Sequence, residues 1–538
     1  MLLLALLGVL PAAHAQTAGD ETFRSTLGEL REASYADKAA IAERLSRSGH
    51  SSVRAVLTAL MEDRLYFRND NQKIVISKSA EGDPLNLLDP LSLKDAGSAS
   101  TDSLTKIGTN NSLRRTLRTT VAHFGLSSPD VAIRLDAVKD MLRSLDDGTV
   151  TLLRERINVE TDPRVRKEIA TGLALAALDG SDSKARLDAI ASLSKSISPE
   201  VRNRLALLLD KTPEGSLVEP DEKVRKAAAA VVENIDMWRT FYSGIETLFF
   251  GLSLGSVLVL IAIGLAITFG VMGVINMAHG ELMMLGAYTT YAVQTAMPGH
   301  IGISILIAIP AAFIVAGLTG VLMERTIIRF LYGRPLETLL ATFGVSLVLQ
   351  QTVRSTFSAL NRSVVTPDWM SGSLRLNDAL AITYNRLYIV IFTLVVFSLI
   401  LAVLKRTRIG LDIRAVSQNR AMAKAMGIRT EWVDAMTFGL GSGIAGVAGV
   451  ALSQLTNVGP NLGQSYIIDS FMVVVFGGVG NLWGSLIGGM SMGVVNQLLE
   501  PYAGAVLSKI LVLVALILFI QIRPRGLFPQ AGRSSEDK

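Results

Sequence analysis

Apolar positions follow different rules in the two halves of the chain. From about residue 20 to 236 they recur at three- and four-residue steps with charges between them, as Leu27, Leu30, Ile41 and Leu45 do, which predicts amphipathic helices. Beyond residue 246 they run on unbroken. Asp, Glu, Lys, Arg and His are missing from 247–278, 282–299, 301–323, 338–353, 387–404, 435–468 and 470–499, and only Lys509 interrupts 503–522. The longer stretches suffice to cross a hydrocarbon core of ~30 Å as helices. Seven glycines between Phe471 and Glu500 add the small residues that let membrane helices approach closely. The predicted fold is all-α: a helical domain, then a polytopic transmembrane bundle.

A punctuation repeats through the first half. Ser128-Pro129-Asp130-Val131 leads to Arg134; Asp162-Pro163-Arg164-Val165-Arg166, Ser198-Pro199-Glu200-Val201-Arg202 and Pro220-Asp221-Glu222-Lys223-Val224-Arg225 follow. Ser or Asp caps orphan N–H groups and Pro fits a first helical turn. The valines stand 34, 36 and 23 residues apart, with an earlier echo at Ser51-Ser52-Val53-Arg54. Spacings in the thirties suit helix pairs of HEAT type, which stack into a solenoid. The domain is expected over 16–236, with a small β insertion at 69–112, where Lys73-Ile74-Val75-Ile76-Ser77 reads as a strand and Gly82-Asp83-Pro84 and Asp89-Pro90 as turns. It serves either as a surface for a periplasmic partner or as a packing appendage.

Ahead of it, Leu2–Leu10 is too short to span a bilayer, and Ala13-His14-Ala15 fits a small-x-small cleavage site, so residues 1–15 read as a signal peptide. Loop charge gives the same orientation. Glu324-Arg325, Arg329 and Arg334 follow the third span, seven Lys or Arg from Lys405 to Arg429 follow the fifth, and Arg523, Arg525 and Arg533 follow the last. Positive loops lie in the cytoplasm, which puts the first domain outside and the C-terminus inside a bacterial inner membrane. That needs an odd number of crossings, seven or nine. Eight apolar stretches therefore imply a break, expected in 470–499 around Gly477-Gly478 and Gly480-Asn481-Leu482-Trp483-Gly484.

Composition narrows the chemistry. Residues 1–240 hold 33 Lys/Arg and 34 Asp/Glu, and residues 241–538 hold 19 and 13. The net charge of +5 thus comes from the membrane half, where loop charge sets topology, and nucleic acid is not the expected partner. There is no cysteine, which excludes disulfides and thiolate chemistry. No Gly-Lys dipeptide occurs, so the chain has no Walker A loop. No cofactor, metal or catalytic residue is expected.

Three stretches carry a resemblance. They are Gly251–Ser256 with Gly270–Glu281 and Leu285-Gly286-Ala287-Tyr288; Arg414-Ala415-Val416 with Ala425-Met426-Gly427-Ile428 and Phe438–Gly449; and Phe476–Gly484 with Arg523-Pro524-Arg525-Gly526-Leu527-Phe528. Over about 245–530 the chain resembles the permease subunits of branched-chain amino acid ABC importers, which implies a transmembrane permease domain at 241–530. The long exported domain, the Val274–Glu281 wording and the Gly480–Gly484 stretch are similar to the urea branch of that family. The resemblance implies a membrane path for urea, a second permease subunit, two ATPase subunits, a periplasmic substrate-binding protein and surrounding lipid. The alternatives are a branched-chain amino acid importer and, more remotely, a membrane sensor.

Polar groups inside such a bundle are costly and tend to face a cavity or a partner. Asn276, His279 and Glu281 stand between the first two spans as a gate or substrate contact, or as a capped helix break. Asp469, Asn481 and Asn496 are candidates of the same kind. The absence of a cation inside any run before Lys509 favours a neutral substrate. In the loop 405–434, Ala421, Met422, Ala425, Met426 and Ile428 form an apolar face against Arg420, Lys424 and Arg429. With Arg414 and Gly427, this resembles the ATPase-coupling loop of ABC permeases, although Ala421 stands where the family pattern has Glu. The other reading is that these charges only set topology.

Overall fold

The structure is a computed structural model, and it describes residues 20–48, 50, 52–79, 84–143, 145–211, 213 and 215–528. The expected signal peptide lies outside the described residues. The chain is mostly helical and divides into two compact units, Met1–Trp238 and Arg239–Lys538.

In the first unit, α1 (Tyr35–Arg47) and α2 (Val53–Met61) precede a sheet of β1 (Leu65–Arg68), β2 (Ile74–Ser77), β3 (Leu85–Leu88), β4 (Asp95–Ala99) and β5 (Leu104–Lys106). The order is β4-β3-β2-β1-β5, antiparallel throughout. These strands qualify the all-α reading, and the sheet begins at Leu65, ahead of the 69–112 expected for a small β insertion. The reason is alternation: Leu65, Ile74 and Ile76 enter one core with α1 and α2, while Tyr66, Val75, Leu85 and Leu104 fill a second core on the other face.

Helices follow: α3 (Asn111–Leu126), α4 (Val131–Leu142), α5 (Asp147–Arg156), α6 (Pro163–Ala177), α7 (Ser183–Leu193), α8 (Pro199–Leu207) and α9 (Glu222–Met272). Asp130, Asp162 and Asp182 each accept backbone N–H bonds at a helix start, and Asp221 accepts one from Lys223. The Ser198 hydroxyl instead donates to the Glu200 carboxylate. At three of these caps the arginine four residues on folds back over its own loop, whereas Arg202 pairs with Asp236. Arg134 donates to the Ser128 and Pro129 carbonyls, Arg225 to those of Glu219 and Pro220, and Arg186 to that of Gly180. Arg134 and Arg186 also pair with a glutamate two residues before a later cap, Glu160 at 3.0 Å and Glu219 at 3.1 Å. Burial alone would raise the Glu160 pKa. Bonds from Arg134, Arg156 and the Asp162 N–H outweigh it and hold the carboxyl at about 2.

The second unit begins within α9. It continues with α10 (His279–Ala296), α11 (Ile301–Thr326), α12 (Pro335–Phe357), a hairpin of β6 (Ser373–Asn377) and β7 (Leu380–Thr383), and α13 (Tyr384–Arg406). Two short helices, α14 (Arg408–Gln418) and α15 (Arg420–Ala425), lead to α16 (Thr430–Ser453), α17 (Leu462–Gly477) and α18 (Leu482–Ile522). Among the described residues six helices are long and apolar enough to cross a membrane, and α17 is a shorter apolar one. α16 is buried along nearly all of 437–453 and runs against α10 and α11, where glycines allow backbone contact: a Cβ on Gly286 would collide with the Gly446 carbonyl of α16, and one on Gly280 with the Gly463 carbonyl of α17.

The 470–499 stretch is indeed broken. α17 ends at Gly477, Gly478 and Gly480 take positive φ, and α18 starts at Leu482. α18 breaks again at Gly504 (φ 76°, ψ 161°), three residues after Pro501. Contacts then separate two ends of the bundle. At one, Trp369 donates to the Gly302 carbonyl, Arg362 bridges Val458, and Arg354 reaches Asn461. At the other, Arg325 lies over Trp432, Arg420 over Tyr332, and the Leu527 N–H bonds the Phe476 carbonyl.

Candidate functional site

The segment Gly273–Ala278 interrupts the helical path, with Gly273 at φ 69°. His279 Nε2 donates to the Ile261 carbonyl at 3.0 Å, since a carbonyl only accepts. Ile261 lies eleven residues before the end of α9, so the segment doubles back along that helix by about 16 Å. Asn276, His279 and Glu281 are all buried there. Asn276 Oδ1 accepts from the Ala278 N–H, and Thr342 Oγ1 accepts from the Met277 N–H. Glu281 Oε1 accepts from Gln350 at 2.8 Å and Ser346 at 3.1 Å. Glu281 Oε2, His279 Nδ1 and Asn276 Nδ2 have no hydrogen-bond partner among the described residues. This is a polar knot tying α9, α10 and α12 together. Ser346 and Gln350 were not singled out from sequence; their four-residue spacing on one face of α12 was the available signal.

A separate cavity of about 370 Å³ lies in the same unit, lined by Arg386, Asp469, Asn496, Gln497, Glu500 and Lys509 among others. It brings together two of the predicted residues, Asp469 and Asn496. Asp469 is not a solvated boundary: its side chain is buried and pairs with Lys509 at 2.9 Å. Asn496 is buried, with its Oδ1 unpartnered among the described residues. Arg386 makes no side-chain hydrogen bond or ion pair among the described residues and lies over the Phe250 ring at 4.3 Å. Arg386, Glu500 and Lys509 were missed as a group because Arg386 lies in α13, about a hundred residues before the two that α18 carries on either side of its break.

Asn481 belongs to neither place. Its Oδ1 accepts from the Trp483 and Gly484 N–H groups, capping α18, and its Nδ2 donates to the Phe528 carbonyl. In the 405–434 loop Arg414 and Lys424 are exposed, while Arg420 is held within the chain by Asp434 and stacks on Tyr332. α15 is capped by Asn419 and closed by Gly427 at φ 89°. Ala423 is buried beneath it, whereas Ala421, Met422, Ala425 and Met426 are exposed, Met426 to 78%.

The family described as the permease component of branched-chain amino acid transport systems matches residues 247–520. The chain is 32% identical over 314 residues to the high-affinity branched-chain amino acid transport system permease protein LivH of Salmonella typhimurium, covering 56% of this chain and 100% of that protein. It is 32% identical over 307 residues to the corresponding BraD protein of Pseudomonas aeruginosa, covering 55% and 98%. A shorter likeness, 29% over 135 residues, joins it to the ribose import permease protein RbsC of Haemophilus influenzae, covering 23% and 42%. No solved structure matches.

Proposed function

The chain belongs to the branched-chain amino acid ABC permease family, and from that premise we propose that it forms the membrane path of an ATP-driven importer for branched-chain amino acids. The observation that carries this reading is the charged cavity. The case for a neutral substrate rested on a path without cations. Arg386 and Lys509 instead line the same cavity as Asp469 and Glu500, so a zwitterion meets partners for both of its charges.

A second reading keeps urea as the substrate. It is favoured by the first unit, for which the Salmonella relative, matched over its full length, has no counterpart. In both readings that unit is an exported array of helical repeats carrying a five-stranded sheet, available to a periplasmic substrate-binding protein or packed as a support. The bundle sits in the inner membrane. Counted with α9 to α13 and α16, the shorter α17 and the two parts of α18 on either side of Gly504 make nine segments, an odd number that fits an external first unit and a cytoplasmic C-terminus. The exposed face of α15 docks an ATPase subunit, and a second permease completes the path.

Uptake of labelled leucine and labelled urea at micromolar concentration, with and without this gene, tests the assignment. Loss of leucine uptake alone is the expected result. Loss of urea uptake with leucine unchanged moves the assignment to the second reading.

A further inference from the structure

We infer that Arg386 is the residue that recognises the substrate's carboxylate, with Asn496 and Glu500 receiving its ammonium group. The inference rests on the amino-acid reading above. Four charged groups line the cavity, and they are not equivalent. Asp469 and Lys509 satisfy each other at 2.9 Å, and Lys509 also donates to the Ser465 carbonyl at 3.4 Å. Arg386 has no such partner among the described residues; only the Phe250 ring lies against it, a face that holds the guanidinium plane without using its N–H donors. A guanidinium with its donors free, at a cavity wall, presents the planar fork that binds a carboxylate through two parallel hydrogen bonds.

The acceptor side is equally specific. Asn496 is buried with its Oδ1 unpartnered, and the next turn of the same helix carries Glu500. An α-ammonium donates three N–H groups and accepts none, so a lone amide oxygen and a carboxylate four residues apart suit it. Leu254, Leu258, Leu452 and Leu455 also line the cavity and supply the apolar wall that an aliphatic side chain needs. Urea offers the fork one neutral carbonyl oxygen in place of a carboxylate's two oxygens and its charge, so the arrangement favours the amino acid of the two substrates.

The test is made on the complete importer, with its ATPase subunits and binding protein, in membrane vesicles. Arg386→Gln should lower labelled-leucine uptake at least roughly tenfold, the worth of a charge-assisted hydrogen-bond pair. Its abundance and the ATPase stimulation by liganded binding protein should stay at the wild-type level, which a merely structural role would not allow. Arg386→Lys, which keeps the charge but loses the fork, should fall between. Asn496→Ala, on another helix, should lower leucine uptake severalfold and stands in if Arg386→Gln fails to reach the membrane. Leucine uptake unchanged in these variants, in an importer whose wild type carries leucine, overturns the role of Arg386 and leaves the amino-acid reading intact. A wild type that carries urea and no leucine overturns both.

Discussion

Lys509 Nζ stands 2.9 Å from the Asp469 carboxylate and joins the part of α18 beyond Gly504 to the second turn of α17. The two partners differ: the Asp469 side chain is 8% exposed and that of Lys509 50%. Removing the cation therefore leaves a buried carboxylate without its counter-charge, whereas removing both charges does not. Lys509→Met should lower the melting temperature of the detergent-purified protein, a cost of about 1–3 kcal/mol. Asp469→Asn combined with Lys509→Met should recover most of it. A double variant as unstable as Lys509→Met alone would show that the pair is not what compensates Asp469.

Gly286 in α10 faces the Gly446 carbonyl so closely that a Cβ would overlap it, whereas a Cβ on Gly344 in α12 meets nothing within 4 Å. Gly286→Ala should sharply reduce folded protein, because backbone on both sides must move. Gly344→Ala should be neutral or stabilising by about 0.5–1 kcal/mol. Fluorescence-detected size exclusion of the two variants checks the contrast.

What was legible in the sequence was local. Asp130, Asp162 and Asp221 are read as helix starts because cap and capped N–H groups are neighbours along the chain, and those caps form. The sheet was read short for a related reason. Gln72 and Leu93 turn its hairpins at φ 58° and 55° without the glycine that would have announced them. The break near Asn481 was visible in its glycines, and the kink at Gly504 falls at the boundary between the apolar stretches 470–499 and 503–522. The cavity was the least legible part, since Arg386, Asn496 and Lys509 meet only through the packing of three helical segments. Asn481 shows the converse: an asparagine inside an apolar stretch that turns out to cap a helix.

The Arg134–Glu160 pair makes the first unit sensitive to acid. The folded carboxyl has a pKa of about 2, below its usual 4.5, so the unfolded state binds the proton more readily. The contribution, about 3 kcal/mol, is complete above pH ~5 and is lost as pH falls from there towards 2. Glu160→Gln should remove that slope and destabilise the unit at neutral pH by leaving Arg134 without a counter-charge. Hydrogen exchange of the 131–177 amides in the full-length protein, followed from pH 7 to 3, should show protection falling in wild type and a flatter profile in the variant.

Met426 is more exposed than Met422, the other large apolar residue at the surface of the α15 segment read as the ATPase-coupling loop, and its neighbours decide what a charge there would do. Ala423 anchors the segment from below, Arg420 is tied to Asp434, and Gly427 ends the turn, so the short helix keeps its place without Met426. Ala421, Met422 and Ala425 are exposed with it. An apolar surface that the chain itself leaves uncovered is suited to a partner's groove. Met426→Asp adds an anion that a buried interface cannot solvate, at a cost on the order of several kcal/mol in binding, while costing the isolated permease almost nothing. The variant should insert normally and melt at the wild-type temperature, yet lose ATP-driven uptake and co-purify poorly with the ATPase subunits. Association unchanged in pull-downs at matched abundance would return the cluster Arg414, Arg420 and Lys424 to the simpler role of fixing topology.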